Sequence, residues 1–368
     1  MNVPSAPVYF AEHANPSPIN GLTIAVIGYG NQGRAQALNL RDSGCQVIVG
    51  NQDDEYRERA HQDGFANYDI DQAVSKGDIV MLLVPDEELP RVFVQRISPY
   101  LRREAMVVFA SGYAVAFDRL KIDLDIDVVL LAPRMIGLGV RERFLTKDGF
   151  FCMIGVHKDV SGKAWDKLLA LTRAVSGLYK PALEVTFEQE AILDLFNEQA
   201  FGPAFGQVLM TSIKVLLDKG LPPEAVLVEM YMSEEMSYVY KTMASSGLVK
   251  QLDSHSQTSQ YGAITRGIRF LDPSLKRKME KIYEEIQSGS FAREWQNPLS
   301  KPKLKVLKFF ARRQKLNRTE QRVRKYLRLP CQDTPEPGEI PPEIREILQN
   351  REIRSQLQSF EDYKEFSL

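Results

Sequence analysis

GLTIAVIGYGNQGRAQALNLRDSG, residues 21–44, runs an apolar strand, TIAVI, into glycines spaced as GxGxxG. Gly28, Gly30 and Gly33 each have a geometric task in such a turn. They supply a tight bend, a close approach of backbone to a pyrophosphate, and close packing of helix on strand. Ala35, Leu38 and Leu40 follow at spacings that bury one helical face, and the helix N-terminus faces the phosphates. A chance glycine-rich turn would not need strand, turn and helix in this order. The stretch predicts a dinucleotide-binding unit, with Gly28, Tyr29, Gly30, Asn31, Gln32 and Gly33 as its cofactor contacts.

The next strand, CQVIVG (45–50), ends in Asn51, Gln52, Asp53, Asp54 and Glu55. A strand-end acid suits the ribose hydroxyls of NADH, whereas NADPH prefers basic or hydroxyl groups there. Three consecutive acids would repel a 2′-phosphate and lean the site toward NADH. Arg57 and Arg59 could fold back and reverse that preference. Asn51, Gln52 and Asp53 are therefore further cofactor candidates. Apolar runs at 77–84, 106–115, 127–137 and 150–159 continue the strand pattern between helical crossovers. Near-continuous apolar strands of this kind predict a parallel sheet covered on both faces. Ligands bind outside the carboxyl ends of such strands, which singles out Pro85, Ser111 and Arg134.

From about residue 185 strand signals stop. TFEQEAILDLFNEQAFGPAFGQVLMTSIKVLLDKG is helical in pattern, with a break expected near Gly202-Pro203. PPEAVLVEMYMSEEMSYVYKTMASSG (222–247) reads as a second long helix, and further helices follow at 273–288, 303–313, 318–327 and 341–358. Asp194 and Glu198, four apart, share one helical face among apolar neighbours, with Glu190 four before them. Buried unpaired carboxylates are costly, and a hard divalent cation such as Mg2+ would compensate them. Glu229 has the same character in the next helix. The plainer alternative is a solvated acidic stripe. SHSQTSQYG (254–262) reads as a polar loop whose Ser254, Ser256 or Thr258 could hold a substrate carboxylate.

Composition narrows the class. The chain has 368 residues, 44% hydrophobic and 26% charged, with a formal net charge of -1. Nothing in that balance argues for nucleic acid or an anionic membrane. The basic segment 301–328 interleaves its cations with Leu, Val and Phe, as an amphipathic helix with snorkelling lysines does. Cys45, Cys152 and Cys331 form no pairing pattern, which suits a reducing compartment. No basic and apolar leader opens the chain, and no uninterrupted apolar run reaches membrane-spanning length. The expected location is the cytoplasm. The organisation reads as an N-terminal arm (1–19), a Rossmann NAD(P)-binding domain (20–184), an all-helical domain (185–330), and a Pro-rich linker with a helical tail (331–368). In that tail TPEPGEIPP is an extended linker, and EIREILQNREIRSQLQSF a short amphipathic helix.

Over roughly 20–330 the sequence resembles ketol-acid reductoisomerase in its short form. The resemblance rests on GYGNQG (28–33), VMLLVPDE (80–87), VVFASGY (107–113) and LLAPRMIG (130–137). TFEQEAILDLFNEQ (186–199), PPEAVLVE (222–229) and SQTSQYG (256–262) extend it. It implies an NADPH- or NADH-dependent enzyme with two Mg2+ ions. Acetolactate-type acids undergo alkyl migration and then hydride reduction. It also implies a knotted helical domain and an intertwined homodimer whose sites are shared between subunits. By this resemblance Asp194 bridges both ions, Glu198 is a second ligand, Glu229 reaches in from the partner subunit, and Ser256 meets the substrate carboxylate.

The chain departs from the family pattern in its catalytic region. The family's active-site histidine falls on Ser111, its lysine on Arg134, and its second distal glutamate on Ser233. Arginine keeps a charge but cannot give up its proton. Alkyl migration needs both metals, whereas hydride transfer needs alignment and charge stabilisation. These changes point to a reductase of a small 2-oxo or imino acid with its isomerase step weakened or lost. An authentic reductoisomerase and a catalytically silent dinucleotide-binding protein are the alternatives.

Overall fold

The computed structural model describes residues 5–331 and 340–361. The chain forms two compact units, Met1–Leu195 and Phe196–Leu368. The first contains β1 (Val8–Tyr9), β2 (Thr23–Ile27), β3 (Gln46–Gly50), β4 (Ala66–Tyr68), β5 (Ile79–Leu82), β6 (Met106–Phe109), β7 (Asp127–Pro133), β8 (Cys152–Lys158) and β9 (Ala182–Glu184). They make one nine-stranded sheet in the order β1-β9-β8-β7-β6-β5-β2-β3-β4. Strands β5 and β6 are buried throughout, β2 and β7 in all but one end residue each, and alternate residues serve opposite faces. Val26, Met81, Val108 and Leu131 join the core on one side, while Ile27, Val80, Val107 and Leu130 join that on the other. This two-sided burial is why these strands read as continuous apolar runs.

The sheet is not purely parallel. Its centre, from β4 through β7, is parallel, but β8 runs antiparallel to β7. The helix Gly137–Leu145 after β7 packs on the helix Asn31–Asp42 instead of recrossing the sheet, so β8 starts beside the end of β7. The residues before position 20 also contribute a strand. Val8–Tyr9 pairs antiparallel with β9, Tyr9 donates to Glu184 at 2.7 Å, and its ring stacks on Trp165.

Asp127 opens β7 and is 1% exposed. Its carboxylate accepts from the Val160 and Ser161 amides at 3.0 and 2.9 Å, from the Ser161 hydroxyl at 2.7 Å, and pairs with Lys167 at 3.0 Å. Burial alone would raise its pKa, yet these donors hold it below the usual carboxylate range. Stability from this group is complete above the unfolded carboxylate pKa and is lost as pH falls through the lower folded one. Asp127→Asn should cost about 3 kcal/mol at neutral pH. It should also flatten the acid limb of a stability–pH profile measured by urea denaturation.

The second unit is helical. A π-helical turn at Asn197–Phe201 leads into the helix Gly202–Asp218 without the expected break at Gly202-Pro203. Pro203 sits in that helix's first turn, and the wider preceding turn relieves the clash proline makes with an upstream carbonyl. The stretch Phe187–Asp218 is long and apolar enough to cross a membrane by length and composition, which the residue-by-residue reading missed. The expected helix 222–247 is divided: Glu234 has φ +61°, separating Val228–Met232 from Glu235–Ser246. The segment 254–262 is largely helical rather than a loop, because Ser256 caps Gln257–Gly267. The Pro-rich linker falls mostly outside the described residues. The tail helix is two helices, Pro342–Ile347 and Arg351–Glu361, divided where the Asn350 side chain accepts from Glu352 and Ile353. Their Ile344, Ile353 and Leu357 cluster with Val306 of the helix Ser300–Arg312.

Candidate active site

A cavity of about 680 Å³ opens in the first unit at the carboxyl ends of β2, β3, β5 and β6. Strand order reverses between β2 and β5, the place where open α/β sheets bind ligands. Gly28, Tyr29, Gly30, Asn31, Gln32, Asn51, Gln52, Pro85 and Ser111 all line it. Gly33 and Asp53 do not. Gly28 adopts φ +95°, Gly30 has open space where a side chain would stand, and a Cβ on Gly33 would lie 2.0 Å from the Gly28 carbonyl oxygen. Gly33 thus shapes the cavity from beneath by letting the helix Asn31–Asp42 sit against the turn. Gly33→Ala should weaken NADH binding by about a hundredfold, read by quenching of protein fluorescence.

At the end of β3, Asn51 is buried and accepts from the Tyr29 amide at 3.2 Å while donating to Asp54 at 2.7 Å. Asp54 in turn caps the helix Glu55–Gln62 and lines the cavity, whereas Asp53 is exposed outside it. The two arginines that could have reversed the charge are otherwise engaged. Arg57 pairs with Asp69 at 2.6 Å, and Arg59 lies over the Tyr56 ring at 5.6 Å.

Beside the cavity, strand ends and the helix Phe187–Phe196 build an ionic cluster. Ser111 lines the cavity and accepts from the Tyr113 amide at 3.2 Å. The adjacent Gly112 amide donates to Glu190 at 2.6 Å. Arg134, beyond the end of β7, donates to Glu190 at 2.8 Å and also pairs with Asp194. Its backbone N–H donates a hydrogen bond to the Phe151 carbonyl at 2.8 Å, which fixes the main chain there. Glu190 is 1% exposed, and burial pushes its carboxyl up to about 7 against the downward pull of the Gly112 amide. Asp194 raises it further and Arg134 lowers it. The Arg134 guanidinium is desolvated, yet both carboxylates hold its pKa above the ordinary value. Glu190 is the residue that sequence reasoning left without a role. Its signal was the spacing of four before Asp194, but only packing shows that it meets Arg134 and the Gly112 amide.

Glu198, Glu229 and Ser256 belong to the second unit. Glu198 and Glu229 lie exposed in π-helical turns, and the exposed Ser256 accepts from the Ser259 amide at 3.3 Å. Among the described residues no group of three or more His, Cys, Asp or Glu gathers to hold a metal. Asp194, the ligand the resemblance places between two ions, is already engaged by a guanidinium. Within the first unit, Asp194 held by Arg134 does not fit a divalent-cation ligand.

A dinucleotide cavity at the sheet's switch point, flanked by a guanidinium–carboxylate cluster, defines an NAD(P)H-dependent oxidoreductase of Rossmann type with a helical second domain. Residues 18–180 match the acetohydroxy acid isomeroreductase NADPH-binding domain, and 187–328 the ketol-acid reductoisomerase C-terminal domain. The chain belongs to the ketol-acid reductoisomerase family. It is 40% identical over 286 residues to a putative ketol-acid reductoisomerase 3 of Saccharolobus solfataricus, covering 77% of this chain and 86% of that one. It is 36% identical to a ketol-acid reductoisomerase (NADP(+)) of Pyrobaculum aerophilum, over 88% of this chain and 99% of the relative. An NADH-preferring ketol-acid reductoisomerase from an uncultured archean superimposes with a TM-score of 0.82 at 31% identity, covering 87% of this chain and 98% of that structure. The family uses NADPH or NADH together with Mg2+. The residues beyond 328, with the two tail helices, lie outside the matched domains.

Proposed function

We propose that this chain transfers hydride from NADH or NADPH to a small 2-oxo acid, as a ketol-acid reductoisomerase-type enzyme of the cytoplasm. The observation that carries this is the Arg134–Glu190 cluster joined through Gly112 to Ser111 on the cofactor cavity wall. The cavity orients the dinucleotide. Arg134 supplies a fixed positive donor where charge develops on a reduced carbonyl oxygen, and the Glu190 carboxyl, near neutrality, holds or passes a proton at its oxygens. NADH is the better fit, because Asp54 faces the cavity and Arg57 is spent on Asp69. A homodimer or larger assembly with shared sites accounts for the exposed apolar residues Tyr238, Leu248, Val249 and Phe270 of the helical unit. The same need for a partner accounts for the apolar stretch Phe187–Asp218, which is largely unburied in one chain.

Of the finer readings, full isomeroreduction has the broader support, since relatives bearing that name align over most of their own length. Reduction without alkyl migration is favoured by one contact, Arg134 holding Asp194. One assay separates them. NADH and NADPH oxidation is followed with acetolactate and with the already rearranged 3-hydroxy-2-oxo acid, with and without Mg2+. Turnover of both acids supports the full reaction, and turnover of the rearranged acid alone supports the reductase. Cofactor binding with no turnover of either sinks both and leaves a silent dinucleotide-binding protein.

A further inference from the structure

We propose that Arg134 is the resident cation of this site, occupying Asp194 in place of a divalent metal ion. This rests on reading the cluster as part of the reductase site. The geometry points to it in three ways. One guanidinium spans both carboxylates, with one terminal nitrogen on Glu190 and the other on Asp194. Both partners come from one helix, Phe187–Phe196, at a spacing of four, so they present their oxygens to the same fork. Glu190 is pinned from its other side by the Gly112 amide, and Arg134 by its backbone bond to Phe151, so neither end of the clamp is loose.

An arginine in this position does not vacate it by deprotonation, as a lysine can. With both acids ionised, two carboxylates and one guanidinium leave a net charge of -1 with each acid already paired. A divalent ion reaches Asp194 only by breaking a charge-assisted bond and leaving the guanidinium half-buried with one partner fewer. Lysine, a compact point charge on a flexible stem, cannot bridge both acids with a planar fork. At position 134 it would hold the buried Glu190 and release Asp194.

The test is Mn2+ binding to the full chain with NADH bound, read by loss of the free-ion electron paramagnetic resonance signal. Arg134→Lys and Arg134→Met should each bind Mn2+ at least roughly tenfold more tightly than the parent, since each frees Asp194 from its charge-assisted contact. That gain should disappear when Asp194→Asn is added. NADH affinity, set by the cavity, reports that each variant is folded. Parent protein that binds Mn2+ as tightly as the lysine variant would overturn the proposal. Folded variants with no gain over the parent would overturn it equally. Crystals of the parent grown in MnCl2 give an answer free of variants: an anomalous peak at Asp194 refutes the proposal, and Arg134 still seated on Asp194 supports it. The metal readout is independent of turnover, so failure of the reductase reading shows separately as a lack of NAD(P)H oxidation with either acid.

Discussion

Gly112→Ala is expected to lower turnover by about a hundredfold, the penalty of shifting a catalytic group by an ångström or so. A Cβ at this position would lie 2.1 Å from the Phe187 carbonyl oxygen and 2.8 Å from its carbon. Both are backbone atoms, so no rotamer change relieves the overlap. The helix Phe187–Phe196 must back away, and Glu190 moves with it from the Gly112 amide. Arg134 then loses its fixed partner. Overpacking of this kind should also cost about 3 kcal/mol of stability. Steady-state kinetics with the rearranged acid, alongside fluorescence titration of NADH, separates the two halves of the site. NADH affinity should change little, because the glycine turn at 28–33 is distant in sequence and independently packed on Leu83. Unchanged turnover in Gly112→Ala would show that the contact of this helix with the strand end does not position the chemistry.

Glu190→Ala should be the second severe variant. Removing the carboxylate leaves the buried Gly112 amide without its acceptor and takes one arm of Arg134 out of its ion pair. An unmet buried donor and a broken, largely buried pair together cost about 3 kcal/mol. Activity should fall further than stability, because the guanidinium is then free to lean wholly on Asp194. Glu190→Gln is the informative companion: its amide oxygen still accepts from Gly112, so part of the stability returns, while its NH2 group offers Arg134 no acceptor. The charge does not return, so reduction should stay impaired. Thermal or urea unfolding gives one readout and kcat/KM the other. Equal recovery of both by glutamine would show that the carboxylate's charge plays no part in turnover.

The physical reach of the sequence differs between the two units. In the first, periodicity carried most of the answer. TIAVI and its glycines could only be a strand leading through a tight turn into a helix, since any larger residue at Gly33 collides with the Gly28 carbonyl. The short strands Val8–Tyr9 and Ala66–Tyr68 at the two edges, and Ala182–Glu184 just inside one of them, were not legible, because two or three residues show no period and exist through pairing. In the second unit, amphipathic spacing gave the helices but not their interruptions. The turn at Glu234 and the cap at Asn350 are local hydrogen-bonding outcomes that a hydrophobic pattern does not encode. Likewise the Gly202-Pro203 pair looked like a break because a π-helical turn upstream leaves no mark on hydrophobic spacing.

The sequence by itself determined the dinucleotide cavity, through glycines whose placement admits one local geometry, and it marked Arg134, Asp194 and Glu190 as ionisable groups at strand ends and along one helix. Only the tertiary structure decided how those charges are balanced. Position 134 and positions 190 and 194 are joined by packing of a helix against the ends of interior strands, not by any spacing along the chain. A carboxylate in an apolar helix demands a positive partner, and sequence cannot say whether that partner is a metal ion or a side chain. Here the fold brings a guanidinium within reach first.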